Sequence, residues 1–355
     1  MSKILITGGA GFAGGNLAIH LANQGHQILS VDNLVRRGSE LNLKRFHGFK
    51  NIDFMHGDIR NKEDLDKIKF NPDVVLECSA QTTAVDGYDN PIYDVTNNTT
   101  GLINVLEFCR QRDSALIFWS TNKVYSGDIC NSVPIIEKNT RFEWDISSDY
   151  NLTGWSTAGF NENLDINGGN HTIYGVTKTA SDLFCQEWAS AFDMPIIVNR
   201  FSCLYGPFQF GMVTQGWITW FILAKQFGLD LTFFGFSGKQ VRDCLYIDDV
   251  YSLIDTQITN ISQHRGSYYN VGGGKSNTVS VMELNSLLDN MMETKTLITH
   301  ASPRKADQKI YVSDIEKITK DFDWAPTVSM EAGLHNIIRW AHDNENVLSG
   351  LIKRQ

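Results

Sequence analysis

Leu5-Ile6-Thr7-Gly8-Gly9-Ala10-Gly11-Phe12-Ala13-Gly14 leaves an apolar strand, passes through a glycine-rich turn and opens a helix. In such a turn Gly8 permits the sharp change of direction, Gly11 lets backbone approach a pyrophosphate, and Gly14 allows the helix to pack closely on the strand. Glycines alone are weak evidence. The second strand, however, ends in Val31-Asp32, roughly 20 residues further on, where an acid accepts hydrogen bonds from an adenosine ribose. The carboxylate of Asp32 repels a 2′-phosphate, which favours NAD over NADP, although Arg36 and Arg37 nearby keep the second cofactor open. Asp58-Ile59, after the third strand, supplies an adenine-edge contact or an ordinary loop acid.

Outward from the fingerprint, short apolar runs alternate with helical spacing. Ile4–Thr7, Gln27–Asp32, Asp53–Met55, Val74–Glu77, Ala115–Ser120 and Ile196–Arg200 read as strands. Gly14–Gln24, Glu63–Ile68, Thr99–Arg112 and Tyr174–Phe192 read as helices. Strand and helix in alternation argue for an α/β fold, a Rossmann-type doubly wound parallel sheet. After about Phe201 the pattern loosens into aromatic-rich segments and then short helices around a strand at Ile310–Val312, which marks a smaller C-terminal mixed α/β lobe. The expected division is residues 1–200 for the cofactor domain, with a return near 241–265, and residues 201–240 and 266–355 for the second lobe. Residues 126–172, polar and rich in Asn, Asp, Gly and Trp, read as a long loop near the active site or a surface insertion. The segment Ser349–Gln355 reads as a frayed tail.

Composition narrows the function classes. The 355 residues are 42% hydrophobic and 20% charged, enough to bury a large core. A net charge of -9, from 31 basic against 40 acidic residues, offers no broad positive field to nucleic acid. Met1 to Ile6 enter a strand directly, without the features of a secretory signal, and no apolar stretch approaches the ~20 residues of a membrane span. The six cysteines form no CxxC pair and no metal-ligand spacing, so reduced thiols, a cytoplasmic location and no bound metal are expected.

Tyr174-Gly175-Val176-Thr177-Lys178 places a phenol and an ammonium four residues apart on one helix face. A free tyrosine, with a pKa of about 10, is too weakly acidic to serve as a base near neutrality; an adjacent ammonium and a positive nicotinamide both stabilise its phenolate. Lys178 is also placed to hold the nicotinamide ribose. Upstream, the strand through Phe118-Trp119 runs into Ser120-Thr121, so Thr121 is the third element of a proton relay, with simple turn chemistry as the plainer account of both hydroxyls.

With the fingerprint, Thr121, Tyr174 and Lys178 in this order, the chain resembles the extended short-chain dehydrogenase/reductase family, the NAD-dependent epimerases and dehydratases of nucleotide-activated sugars. Asn98-Thr99-Thr100-Gly101-Leu102-Ile103-Asn104 is similar to that family's NxxGTxN helix, and Gly238 to Asp243 to its loop whose arginine meets the nucleotide diphosphate. The resemblance implies tightly bound NAD. Its contacts would be Gly8, Gly11, Phe12, Ala13, Gly14, Asp32, Asn33, Asp58, Ile59, Ser79, Ala80, Asn98, Ser120, Tyr174, Lys178 and Phe201.

Within the family, Ser120 to Tyr125, Gln215-Gly216-Trp217, and Arg304 with Asp307-Gln308 resemble the branch that inverts carbon 2 of a cytidine diphosphate hexose. That resemblance implies a nucleotide diphosphate sugar bound by Asn122, Lys123, Cys203, Gln215, Gly216, Trp217, Gln240, Arg242, Arg304 and Asp307, with the two arginines on the pyrophosphate. Two departures sharpen it. Cys203 stands where many relatives carry an asparagine, which weakens a UDP-sugar 4-epimerase reading. Asn122-Lys123 replace the Asp-Glu that 4,6-dehydratases use to eliminate water.

The length of 126–172 leaves the sugar open, with Glu143, Trp144 and Glu162 as residues that reach it or simply line a surface loop. The alternatives to carbon-2 inversion are a 4-epimerase, a keto-sugar reductase, or a catalytically inactive NAD-binding regulator. A homodimer or homotetramer through the helices at Thr99–Arg112 and Tyr174–Phe192 is also implied, with Phe184 and Trp188 either as its anchors or as core.

Overall fold

A computed structural model describes residues 1–352. The chain divides into two compact units. One comprises Met1–Val124, Thr172–Phe201 and Val250–Tyr269; the other comprises Tyr125–His171, Ser202–Asp249 and the chain from Asn270.

The first unit is built on a seven-stranded sheet of β1 (Lys3–Thr7), β2 (Gln27–Asp32), β3 (Ile52–His56), β4 (Val74–Glu77), β5 (Ala115–Thr121), β6 (Ile196–Phe201) and β7 (Ser267–Val271). Its spatial order is β7-β6-β5-β4-β1-β2-β3, and every pairing from β6 to β3 is parallel. The order reverses between β1 and β4, the switch point outside which open α/β sheets bind their ligands. The Rossmann-type fold expected from the sequence is therefore present, with all six expected strands in place.

These strands are almost uninterrupted apolar runs because helices, α1 (Phe12–Asn23) among them, cover both faces of a parallel sheet. One face packs Leu5, Val75, Leu116 and Val198 beneath Leu102, Val105 and Cys109 of α2 (Gly101–Arg110) and Cys185 and Ala189 of α3 (Ile173–Ala191). Thr172 caps α3, its hydroxyl accepting from the Gly175 N–H at 2.9 Å. The helix expected from Thr99 begins earlier, as a π-helical stretch over Val95–Thr100 that leads into α2.

The second unit centres on strands Cys203–Tyr205, Val241–Tyr246, Thr278–Ser280 and Ile310–Tyr311. Val241, Ile310 and Val312 pack there with Phe142. Residues 126–172, read from sequence as loop, instead carry a helical turn at Gly127–Ser132 and two short hairpins, Ile135–Glu137 with Phe142–Trp144 and Trp155–Ser156 with Gly159–Phe160. Their tryptophans are used for packing: Trp144 meets Trp155 and Phe160 edge-on. The expected frayed tail begins inside a helix, Glu345–Ile352, and its last three residues lie outside the described part of the chain.

Candidate active site

At the end of β1 the backbone of Gly8 takes φ +61°, a left-handed value that favours glycine, and a Cβ there would lie 2.8 Å from the Ser79 nitrogen. A Cβ on Gly14 would collide with the Gly8 carbonyl oxygen, so the helix starting at Phe12 approaches β1 as only glycine allows. Gly11 is the N-cap and offers no side chain to the first N–H groups of this helix, leaving them for an anion. Asp32, at the end of β2, accepts from the Ala10 N–H at 3.1 Å and the Leu34 N–H at 2.7 Å, which aligns its carboxylate beside the turn. Burial raises its pKa, opposed by those backbone bonds. A glycine cradle, a free helix N-terminus and an oriented acid fit a dinucleotide. Arg36, the residue that keeps a 2′-phosphate open, spends one nitrogen on the Thr82 hydroxyl at 2.7 Å.

Several other expected cofactor contacts also serve the fold. Asn33 donates to Asp58 at 3.0 Å, and Arg60 makes an ion pair with Asp58 at 2.6 Å that holds this carboxyl near a pKa of about 2 against the opposing effect of burial. Ile59 packs against Gly101, and Ala80 precedes Gln81, whose N–H reaches the Asn98 side-chain oxygen at 2.8 Å. The Asn98 amide also donates to the Thr177 hydroxyl at 3.1 Å, tying the π-helical stretch to α3. Ser120 donates to Asp182 at 2.7 Å, and Phe201 stacks on Trp119.

Tyr174 lies in the first turn of α3, with its phenol hydrogen-bonded to Thr121 at the end of β5. The Thr121 hydroxyl also accepts from the Lys123 N–H at 3.2 Å and faces the Asn122 side chain at 3.4 Å. The tyrosine and threonine hydroxyls are thus brought together. Burial pushes the phenol up to about 12, opposed by the Thr121 hydrogen bond and reinforced by the negative charge of Asp94. Phenolate stabilisation by Lys178, expected from the spacing, is not among these influences. The lysine ammonium lies over the Phe118 ring, 4.2 Å from its centroid, and its main electrostatic partner is Glu77.

Two acids here were not legible as site residues. Glu77 closes β4 at 1% exposure and accepts a hydrogen bond from Thr7. Asp94 is fully buried, with neither carboxylate oxygen hydrogen-bonded, and burial followed by the charge of Asp86 raises it to about 6. The signal for Glu77 was a carboxylate ending an otherwise apolar strand; Asp94 carries none.

The second unit groups most of the residues expected to meet substrate. Arg242 bonds Asp307 at 2.7 Å while its other terminal nitrogen meets the Val241 carbonyl at 2.7 Å. Arg304 lies over the Phe234 ring, donates to the Val213 carbonyl at 2.7 Å, and feels the charges of Asp307 and Arg242. Two guanidinium groups and one carboxylate leave a local excess of positive charge. Gln240 is held by the Phe234 carbonyl at 3.1 Å. Gln215 pairs with Met212, and Gly216 caps the helix that begins at Trp217. Cys203 sits opposite Cys244 in register, and the hydrogen bond with that thiol first, then Arg242 and the Trp217 N–H, bring its pKa down to about 7. Of the loop residues, Glu162 is committed to the Asn270 N–H at 2.7 Å, Trp144 to the aromatic cluster, and Glu143 stands exposed 4.0 Å from Lys138.

Comparison with known proteins adds kinship to this geometry. The model of the NAD dependent epimerase/dehydratase family matches residues 4–272. CDP-paratose 2-epimerase of Salmonella typhi is 36% identical over 347 residues, which cover 95% of this chain and 98% of that protein. Among solved structures, Pal from Bacillus thuringiensis superposes with a TM-score of 0.81 at 25% identity, covering 96% of this chain and 99% of that one. The dTDP-glucose 4,6-dehydratase of Bacillus anthracis, solved in complex with NAD, superposes with a TM-score of 0.78 at 25% identity, covering 99% and 100%.

Proposed function

Because the chain belongs to the NAD dependent epimerase/dehydratase family, and is by that kinship an NAD-dependent nucleotide-sugar epimerase, we propose that it inverts carbon 2 of a cytidine diphosphate hexose. The observation that carries this reading is the full-length likeness to a CDP-paratose 2-epimerase. Asn122-Lys123 in place of an acid pair, and Cys203 in place of an asparagine, support it against dehydration and 4-epimerisation.

In this reading Tyr174, as phenolate, takes the proton of the carbon-2 hydroxyl, and the Thr121 hydroxyl orients both oxygens. NAD, when bound, would supply the reversible hydride acceptor for that carbon. Tyr174 then gives the proton back. Lys178 would hold the cofactor ribose, Asp32 the adenosine ribose, and the fingerprint backbone the pyrophosphate. Arg242 and Arg304 bind the substrate diphosphate, with Asp307 fixing the first guanidinium. The product serves cell-surface polysaccharide sugar biosynthesis in the cytoplasm; no described helix is long and apolar enough to cross a membrane. A homodimer or homotetramer is supported by Ile92, Val95, Val176 and Leu183, which expose apolar surface on and before α3.

The test is turnover of CDP-paratose deuterated at carbon 2, in light water. Inversion at that carbon with the label retained is expected. Label lost to solvent, inversion at carbon 4, or consumption of external NAD(P)H would each replace this reading with a different chemistry.

A further inference from the structure

Glu77 is an ionisable group in a place built for apolar ones. It is the partner in register of Thr7 on one side and Phe118 on the other, so its side chain leaves the sheet on the face covered by α2 and α3, where Val75 and Leu116 lie one pleat earlier. The Thr7 hydroxyl donates to Oε2, and the Ser79 hydroxyl approaches the same oxygen at 3.5 Å. Over Phe118, the in-register neighbour, lies the ammonium of Lys178 at 4.2 Å from the ring centroid, itself only 1% exposed. A carboxylate and an ammonium thus enter the same apolar wall from β4 and from α3.

The other titratable groups facing Lys178 are Asp182, Cys185 and Cys78. Asp182 is already paired with Arg200, and burial pushes both thiols up, so they are neutral. Glu77 is left as the acid facing Lys178 that is held by hydroxyls and not by another cation. Burial drives the lysine toward its neutral form and the glutamate toward its acid form, and each opposes that drift in the other. The fingerprint turn follows Thr7 directly, which puts the pair at the switch point of the sheet.

We propose that Glu77 is a positioning residue of the hydride-transfer site, the counter-charge that keeps Lys178 an ammonium aimed at the bound cofactor. The proposal rests on Lys178 holding NAD. Glu77 touches neither cofactor nor substrate in this role; it acts through the lysine.

The experiment follows NAD retained by the purified holoenzyme after dialysis between about pH 6 and about pH 10, for the native chain, Glu77→Gln, Glu77→Asp and Lys178→Met. Lys178→Met should lose NAD throughout. Glu77→Gln should lose it at a pH lower than the native chain by about one unit or more, and Glu77→Asp should restore most of the difference. A Glu77→Gln profile that coincides with the native one, while Lys178→Met loses NAD, overturns the proposal and leaves the lysine's role standing. Retention of NAD by Lys178→Met overturns the reading beneath it. Should Glu77→Gln not fold, the double variant Glu77→Gln/Lys178→Met decides: a folded double supports a charge pair, since both buried charges are then gone, and an unfolded one overturns it.

Discussion

Arg200 grips Asp182 through two hydrogen bonds, at 2.9 and 3.0 Å, with 2% and 0% of the two side chains exposed. Through this pair β6 is fastened to α3, the helix that carries Tyr174 and Lys178, and the Ser120 hydroxyl on β5 joins the same carboxylate. Removing one partner leaves a buried guanidinium uncompensated. Asp182→Asn should therefore destabilise the chain by about 3–5 kcal/mol, read by urea unfolding. A loss below about 1 kcal/mol would mean that the clamp is dispensable.

Tyr174→Phe removes the titrating oxygen and keeps the ring in its buried seat. Turnover should fall by at least about 100-fold with little change in melting temperature. Thr121→Val should cost less, because it removes the hydroxyl that opposes the rise in the phenol's pKa and leaves the phenol itself. Equal rates for Tyr174→Phe and the native chain would remove the phenol from the mechanism.

Asp94 gives a pH signature whose sign follows from its environment. Its folded pKa of about 6 lies above the usual carboxylate value, so the protonated acid favours the native state. That contribution is present at low pH and fades as pH rises from about 4 through about 6. Asp94→Asn mimics the protonated form. It should raise the melting temperature more at pH 8 than at pH 5, and it should lower the pH at which Tyr174 ionises, because a charge opposing the phenolate is gone. An equal effect at both pH values would show that Asp94 does not titrate in this range.

Cys203 is half-buried, with a thiol brought down to about 7 by Cys244, Arg242 and Trp217, whereas burial holds Cys244 far above the ordinary thiol range. Mild alkylation at pH 7.5 should label Cys203 first, as peptide mass spectrometry reads it. Arg242→Ala should slow that labelling several-fold by removing the nearby positive charge. Preferential labelling of Cys244 would reverse this assignment.

The parallel sheet was legible because its evidence is local: each strand is a continuous apolar run, the fingerprint turn has little conformational choice, and Asp32 ends its strand. Tyr174, Lys178 and Thr121 were legible for the same reason, being defined by spacing and by the end of a strand. Glu77 was hidden because its meaning depends on which face of β4 it leaves and on what α3 brings there. Residues 126–172 misled because hairpins whose strands are only two or three residues long are held by their aromatic partners rather than by any periodicity of their own. Ser120 and Asn98 are polar residues at the expected places, but their hydrogen bonds to Asp182, Gln81 and Thr177 require contacts distant in sequence.

The π-helical turn over Val95–Thr100 has a genetic consequence. A wider turn absorbs one residue more than an ordinary helix would, and Asn98, with its bonds to Gln81 and Thr177, sits inside it. Dropping a single codon there would let the helix close into regular α form with its flanks still in register, yet it would redirect the side chains of the widened turn itself, Asn98 among them. The mended helix would be the better helix, and the asparagine would no longer meet its partners. Reading-frame-preserving deletions in this turn should thus behave as loss-of-function alleles, whereas indels in the exposed turn around Ser147 should pass unnoticed.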